Sequence, residues 1–399
     1  MKLTLPATEK ASGGLEAVLF DPKRLLARLG ELSDCRGQRG KRYGLAQLLL
    51  LVLFAKLSGQ DTPSGIADWL SHRAKGLIEA LHLDWSRMPH HNTLRRVIAF
   101  VVDPEELDRV VAEHLTSLPG VGTSRLVAID GKKVRGTISE DNPEGEYLLA
   151  AYLPREGIVL GQVAVANKEN EIVEAPKLLG QIDLRGKVVI GDAMQAQREL
   201  SKQTRKAGGD FIWLIKANQL TVLEDITQLF APETPTVLGV LVPNDFVSYQ
   251  EYDKGHGRRE RRRITVSSEL VGYTDWPYLQ QVFRVERWRT NLKTGKTETE
   301  VVYGLTSLSR EVASAKDLFD YVRDYWGIEN GLHQSRDVTF HEDSTRQTLG
   351  NAGHVMASLN NFAIGLLRHL GFTNIARARR ACDSLFSHTT YLALGRTLT

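Results

Sequence analysis

Apolar residues recur at helical spacing through the first part of the chain. From residue 21 to about residue 118 they return every third or fourth position, the period of an amphipathic helix. Asp103 and Pro104 place a capping side chain and a proline at one predicted first turn. The pattern predicts five helices: DPKRLLARLGEL, LAQLLLLVLFAKL, SGIADWLSHRA, HHNTLRRVIAFV and PEELDRVVAEHL. Residues 1–20 lack this period and are expected to be poorly ordered, and the Pro- and Gly-containing stretch 118–122 predicts a linker.

Short apolar runs of strand length replace the helical period from Arg125 onward. They are LVAID, EYLLAAYL, GIVLGQVAVAN, KVVIGD and FIWLIKAN, with helical segments near 175–179 and 196–208. The order strand, hairpin, helix, strand, helix, strand predicts an α/β fold with a mixed sheet. Because these strands alternate little between apolar and polar residues, helices should cover both faces of the sheet.

Residues 235–307 have a different composition, rich in Val, Thr, Tyr and Arg. They include Asn291–Gly295, a sequence typical of a hairpin turn. We interpret 235–307 as a β-rich insertion within a domain that covers 123–399. The last part of that domain, from residue 314, is again helical by its period.

Composition narrows the class of protein. The chain has 399 residues, of which 25% are charged, with a net charge of +3 and a pI near 8.7, values that fit a folded protein and permit a polyanionic partner. Cys35 and Cys382 form neither a zinc-binding pattern nor a disulfide framework, which predicts the reducing cytoplasm. The first residues lack the apolar core of a signal peptide, and the run 45–57 is too short to span a bilayer. We expect no membrane attachment.

Three carboxylates are candidates for chemistry. Asp130 and Asp192 each follow a predicted strand, and the carboxyl ends of neighbouring parallel strands form one functional edge of a sheet. Glu329 falls on the apolar face of a predicted helix over 316–336, where an unpaired charge is costly. The ordinary alternatives are turn caps for the aspartates and a buried ion pair for Glu329. Together the three predict a site for Mg²⁺ or Mn²⁺, and two such ions can act jointly in phosphoryl transfer.

Basic residues cluster at 254–263 and directly after Asp130. Such clusters can neutralise the phosphates of a DNA backbone, although a solvated basic face is the ordinary alternative. Trp288 can stack on an unpaired base or pack in the protein, and His333 can orient Glu329, contact a phosphate or be structural. The residues predicted to contact DNA are Lys132, Lys133, Arg135, Lys254, Arg258, Arg259, Arg261, Arg262, Arg263, Trp288, His333 and Arg336.

Six segments of the chain carry a family pattern: AIDGKKVRGT, VIGDAMQAQREL, GGDFIWLIKANQ, HGRRERRRITVS, YWGIENGLHQSRDVTFHEDSTR and GNAGHVMASLNNFAIGLLRHLGFTNIARARR. They resemble the DDE transposases of bacterial insertion sequences, in the group of H-repeat-associated proteins. The fifth segment is very specific, whereas AIDGK and GDA alone are weak. Arg336 stands seven residues after Glu329, where this family usually has Lys, and Tyr325 stands where it usually has Arg.

The resemblance implies a ribonuclease H-like catalytic core, with Asp130 at the end of its first strand and Asp192 at the end of its fourth. Glu329 would complete a DDE triad that holds Mg²⁺ or Mn²⁺, as two ions. The helical region 21–118 would be an accessory domain that contacts DNA.

The implied activity is that of a DNA transposase, which hydrolyses the 3′ ends of its element and transfers them to target DNA. The implied partners are double-stranded DNA, as terminal inverted repeats and target, and a second copy in a DNA-bound homodimer. The implied location is the cytoplasm, on the nucleoid when DNA is bound.

Two other functions remain open at this point. A domesticated or inactive DNA-binding protein would keep the fold. Gln334, Ser335 and Arg336, which follow Leu332-His333 where the family usually has Trp and two apolar residues, suggest it. A phosphatase with an aspartyl nucleophile usually needs a second Asp two residues after the first, whereas position 132 is Lys. The intact triad favours the transposase over both.

Overall fold

The computed structural model describes residues 22–37, 41–166, 171–231, 236–237, 240–241, 245–255 and 257–392. The expectation of poor order at 1–20 falls outside these ranges. Within them, no helix combines the length and apolarity needed to cross a bilayer.

In the described part of the chain, six helices precede the first strand: α1 Pro22–Leu29, α2 Leu45–Leu57, α3 Pro63–His72, α4 Ala74–Ala80, α5 His91–Phe100 and α6 Pro104–Thr116. Five coincide with predicted helices, and Asp103 caps α6 as expected. The sequence pattern misses α4, which has only seven residues and therefore shows little period. α2 is buried on nearly all sides, because its apolar residues surround the whole helix.

One sheet of nine strands forms the centre of the molecule, in the order β3-β2-β1-β4-β5-β11-β10-β9-β8. β1 pairs in parallel with β4, and β4 with β5, while the other neighbours are antiparallel. The predicted hairpin is β2–β3. The first five strands are β1 Leu126–Val134, β2 Glu146–Leu153, β3 Ile158–Val165, β4 Val188–Gly191 and β5 Asp210–Ile215.

The β-rich insertion continues this sheet. β11 pairs with β5 through contacts such as Leu305 opposite Trp213. The predicted turn at Asn291–Gly295 joins β10 to β11, with the Gly295 amide donating to the Asn291 carbonyl oxygen at 2.8 Å. The strands are β8 Val247–Gly255, β9 Arg258–Ser267, β10 Gln281–Asn291 and β11 Thr297–Thr306, and the short pair β6 Thr236–Val237 and β7 Val240–Leu241 lies apart from the large sheet.

Helices cover both faces of the sheet, as its apolar strands require. One face, which includes Ile129, packs against α7 Glu171–Gly180, α8 Arg198–Lys206 and α9 Leu220–Leu229. The opposite face, which includes Ala128, shares one hydrophobic core with the N-terminal helices and with α10 Ala315–Tyr325, α11 Ala352–His369 and α12 Ile375–Leu392. The N-terminal helices are therefore docked on the sheet through a continuous core.

We expect Gly304→Ala to destabilise the junction between the insertion and the core sheet. A Cβ at Gly304, on β11, would lie 2.7 Å from the Trp213 carbonyl oxygen and closer still to the Phe283 ring. Overpacking of this kind costs about 1–3 kcal/mol of unfolding free energy, which urea denaturation measures. Gly255→Ala, on β8 with open space around it, is the control. Equal effects of the two substitutions would contradict this account of the junction.

Candidate active site

Asp130 and Asp192 lie next to each other where the parallel pairing of β1 and β4 stops. Ile129 is opposite Gly191 in the register, so the next residue on each chain segment is an aspartate. The prediction that the first strand ends at Asp130 is wrong, because β1 continues to Val134 with β2 as its partner. The Asp192 carboxylate accepts a hydrogen bond from the Met194 amide at 2.8 Å, which holds its turn in place.

Glu329 lies on a widened helical turn. α10 ends at Tyr325, and two π-helical segments follow, Ile328–His333 and Ser335–Thr339. The predicted regular helix over 316–336 is therefore wrong beyond Tyr325. π turns of this kind occur frequently at functional sites.

The widened turn changes which residues are buried. A π turn contains more residues than an α turn, so the apolar face shifts in register. Ile328 and Leu332 take the buried positions, and Glu329 is exposed. The predicted burial of Glu329 is wrong for this reason.

The pKa of Asp130 is raised from 3.8 to about 7. The causes, largest first, are burial and repulsion from the carboxylates of Asp192, Glu171 and Glu329. Burial and the same four carboxylates raise the pKa of the Tyr325 hydroxyl well above 10. The structure therefore brings the carboxylates of Asp192 and Glu329 within electrostatic reach of Asp130.

A fourth carboxylate, that of Glu171, lies at this edge, and no sequence pattern predicts it. Glu171 is the first residue of α7 and is buried, and it accepts a hydrogen bond from the Gln195 amide nitrogen at 3.1 Å. No local period marks it. The one available hint was the glycine after Asp130, since a Cβ at Gly131 would collide with the Glu171 carboxylate.

His333 contacts Asp130, not Glu329. Its Nδ1 lies 3.5 Å from Asp130 Oδ2. Burial, followed by the charges of Arg336 and Lys132, lowers the pKa of His333 to about 3, so the ring is neutral at neutral pH. A neutral ring in this position can orient the Asp130 carboxylate but does not neutralise a phosphate.

Lys132 is only 7% exposed and belongs to an ion-pair network. Its Nζ lies 2.6 Å from Asp337 Oδ1 and 3.2 Å from Asp343 Oδ1. These two carboxylates and that of Glu342 have oxygen atoms within 4.8 Å of one another, a spacing that also suits a metal ion. Because the Lys132 ammonium already lies among them, we interpret the group as an ion-pair network. Arg135, by contrast, is 72% exposed beside Asp343.

Arg336 is completely buried and cannot reach DNA from this position. Its guanidinium pairs with Glu342 at 2.8–3.0 Å and donates to the Gln162 side chain on β3 at 3.3 Å. Asn360 on α11 donates to Glu342 at 3.0 Å. Loss of one partner in a buried ion pair costs about 3–5 kcal/mol of folding free energy. The network therefore holds the segment after Glu329 against β3 and α11.

The sheet register sorts the basic run of β9 onto two faces, since successive side chains alternate. On the face toward α10, Arg258, Arg262 and Arg287 surround the buried carboxylate of Glu260. The Arg287 guanidinium also lies 4.8 Å from the ring centre of Trp326, which follows α10 directly. This face is therefore largely neutralised and packed.

The opposite face of β9 carries Arg259, Arg261 and Arg263. The guanidinium groups of Arg261 and Arg263 lie 4.6 and 5.6 Å from the ring centre of Trp288, and Arg263 is paired with Glu286. Trp288 is thus half-buried between two cations. The most exposed basic side chains of this region are Lys254, Arg258 and Arg259.

Residues 122–366 match the family described as "Transposase DDE domain", and residues 26–115 match the one described as "DDE_Tnp_1-associated". The chain belongs to the transposase DDE domain family. The predicted resemblance is confirmed. The order β3-β2-β1-β4-β5, with β1, β4 and β5 parallel, is the ribonuclease H-like core of that family.

Named relatives agree with this membership. The chain is 26% identical to "Putative protein YbfL" and to "H repeat-associated putative transposase YhhI" of Escherichia coli (strain K12), over 86% of this chain and 90% of each relative. It is 27% identical to "Putative transposase YncI" of Escherichia coli O157:H7, over 86% of this chain and 87% of the relative.

A piggyBac transposase synaptic complex with hairpin DNA aligns with a TM-score of 0.43 at 9% identity, covering 94% of this chain and 80% of that chain.

The transposase DDE domain family implies the use of divalent metal ions, and the residues present fit such ions. The donors at this edge are carboxylate oxygens, the ligands that Mg²⁺ and Mn²⁺ prefer. The raised pKa of Asp130 reflects negative charges that a cation would stabilise. Beside them, the Gln195 side-chain oxygen is buried without a hydrogen-bond partner in the described structure.

We expect the metal-free protein to lose stability as pH rises from about 4 to about 7. The folded-state pKa of Asp130 is raised from 3.8 to about 7, so ionisation costs folding free energy over this window, with an upper bound of about 4 kcal/mol. Asp130→Asn removes this cost. The variant should therefore exceed the wild type in stability at pH 8 in EDTA, and the difference should shrink toward pH 5, as urea unfolding measures.

Asp183→Asn is the control for this pH dependence. Asp183 is exposed and Arg185 lowers its pKa to about 2, so its small effect should have the opposite sign. An Asp130→Asn difference that does not change with pH would contradict the prediction.

Proposed function

We propose that this protein is a DNA transposase that moves an insertion sequence by metal-dependent phosphoryl transfer. It hydrolyses the 3′ ends of its element and joins them to target DNA. The observation that supports this most directly is the register that sets Asp130 beside Asp192, with Glu329 near enough to raise the pKa of Asp130, in a chain of the transposase DDE domain family.

Asp130, Asp192 and Glu329 would hold Mg²⁺ or Mn²⁺, as two ions. Ions bound there would activate the attacking oxygen and stabilise the leaving oxygen of an in-line displacement. His333 keeps the Asp130 carboxylate oriented through Nδ1, and Tyr325 stays protonated as a hydroxyl donor beside the acidic group.

We infer which basic residues contact DNA from the exposure of their side chains and from their ion pairs. We assign backbone contacts to Arg135, Lys254, Arg258 and Arg259, which are exposed, and to Lys133 and Arg261 at their margins. Lys132 and Arg336 act from the interior, where they hold the carboxylate-bearing segments. Arg262 and Arg263 are paired with glutamates and mainly orient the strand.

The substrates in this proposal are terminal inverted repeats and target DNA, bound by a homodimer. The helical region 21–118, docked on the sheet, serves as the accessory domain that contacts DNA. A domesticated DNA-binding protein is the second candidate, favoured by the burial of Arg336 at the position where the family usually has Lys. Cleavage activity separates the two.

We expect Asp130→Asn, Asp192→Asn and Glu329→Gln each to reduce cleavage of a plasmid carrying the element's own ends by at least about 10³-fold, or about 4 kcal/mol of transition-state stabilisation. Gel mapping of 3′ ends in Mg²⁺ measures this. Asp183→Asn, an exposed carboxylate paired with Arg185, should cleave normally. Wild-type cleavage by Asp130→Asn would exclude the proposed mechanism. No cleavage by the wild type, with DNA binding retained, would support the domesticated protein.

We expect the double substitution Lys254→Ser with Arg259→Ser to weaken binding to duplex DNA of any sequence. Each lost phosphate contact lowers the slope of log K against log salt by about 0.9, so the slope should fall by about 2. Fluorescence anisotropy across a salt series measures it. Arg185→Ser with Lys202→Ser, two exposed cations paired with neighbouring carboxylates, changes the net charge equally and should leave the slope unchanged. An equal decrease in slope for both double variants would contradict the assignment of phosphate contacts to Lys254 and Arg259.

A further inference from the structure

We propose that Glu171 is a fourth carboxylate of the metal site and reaches it from the opposite side of β1. This inference rests on the proposed function and adds a residue to its metal-holding set. Glu171 opens α7, which covers the sheet face that includes Ile129. Asp130 belongs to the other face, with Ala128.

A missing side chain lets Glu171 cross between these faces. Gly131 follows Asp130 on β1, and its Cβ, if present, would lie 2.5 Å from the Glu171 carboxyl carbon and closer still to Oε1. The carboxylate therefore occupies the space that any other residue at this position would fill. Its approach to the β1 backbone directly beside Asp130 depends on that glycine.

The neighbouring charges indicate which groups lie near the Glu171 carboxylate. Among the neighbours whose repulsion raises the pKa of Asp130, Glu171 ranks after Asp192 and ahead of Glu329. Glu171 is 4% exposed. Its carboxylate therefore belongs to the same negatively charged group as that of Asp130, where a bound cation would lower the electrostatic free energy.

Gln195 supplies a second, independent observation. It is 1% exposed and its amide nitrogen donates to Glu171 Oε2 at 3.1 Å. Its oxygen is buried without a hydrogen-bond partner in the described part of the chain. An acceptor left open beside a carboxylate suits a water molecule of a hydrated cation, since such a water can donate to it.

The test is Mn²⁺ binding by Glu171→Gln, measured by isothermal titration calorimetry without DNA. We expect affinity to fall about 10- to 100-fold, while the metal-free variant melts at a higher temperature than the wild type because one repelling charge is gone. Glu174→Gln, one turn along α7 and paired with Lys177, is the matched control and should bind Mn²⁺ normally. A purely structural Glu171 would lower the melting temperature and leave Mn²⁺ affinity unchanged, which would overturn the proposal.

Gly131→Ala supplies a second test that keeps the carboxylate. The added methyl group should displace Glu171 and lower Mn²⁺ affinity. Glu171→Asp, which keeps a carboxylate, should retain part of the wild-type Mn²⁺ affinity. Asp130→Asn separates this inference from the proposed function. If Asp130→Asn loses Mn²⁺ binding while Glu171→Gln and Gly131→Ala keep it, only the role of Glu171 fails. If Asp130→Asn binds as the wild type does, the metal site itself is wrong.

Discussion

Repulsion among the carboxylates at the end of β4 is the constraint on which the centre of this structure depends. The parallel register places Asp130 level with Asp192, and burial, followed by repulsion from Asp192, raises the pKa of Asp130 to about 7. Such an arrangement is stable only when a proton or a cation shares the charge. The fold makes room for it with a glycine beside each aspartate, Gly131 and Gly191, behind which Glu171 and Gln195 pack.

Glu329 is an exposed carboxylate on a π turn. Its position relative to Asp130 and Asp192 therefore depends on how well the neighbouring residues are fixed. The segment after Glu329 is fixed at two places, since Leu332 is buried in the core and Arg336 is buried against Glu342. A buried ion pair adds little net stability compared with apolar packing of the same volume. Its contribution here is geometric, because hydrogen bonds from the pair to Gln162 on β3 and from Asn360 on α11 hold the segment after Glu329 against both elements.

The features that could be predicted from the sequence are those that show in the local spacing of residues. Strand runs, helix periods and the hairpin at Asn291–Gly295 were recovered, because each property repeats or ends within a few residues. The register of Glu329 was wrong, since an apolar period assumes regular α turns and cannot show a π segment. Glu171 and the burial of Arg336 were missed because both depend on partners far away in the chain, Gln195 and Gln162 among them.

In the proposed function, the continuity of the sheet would let the basic strands position DNA as well as attract it. β11 pairs with β5, and β5 with β4, so Arg259 and Asp192 belong to one hydrogen-bonded frame. A flexible tail with the same charge would attract DNA as strongly, since the attraction follows phosphate neutralisation. It would not hold a phosphate at a fixed distance from the carboxylates. Phosphoryl transfer depends on that distance, because positioning accounts for a large part of the barrier reduction.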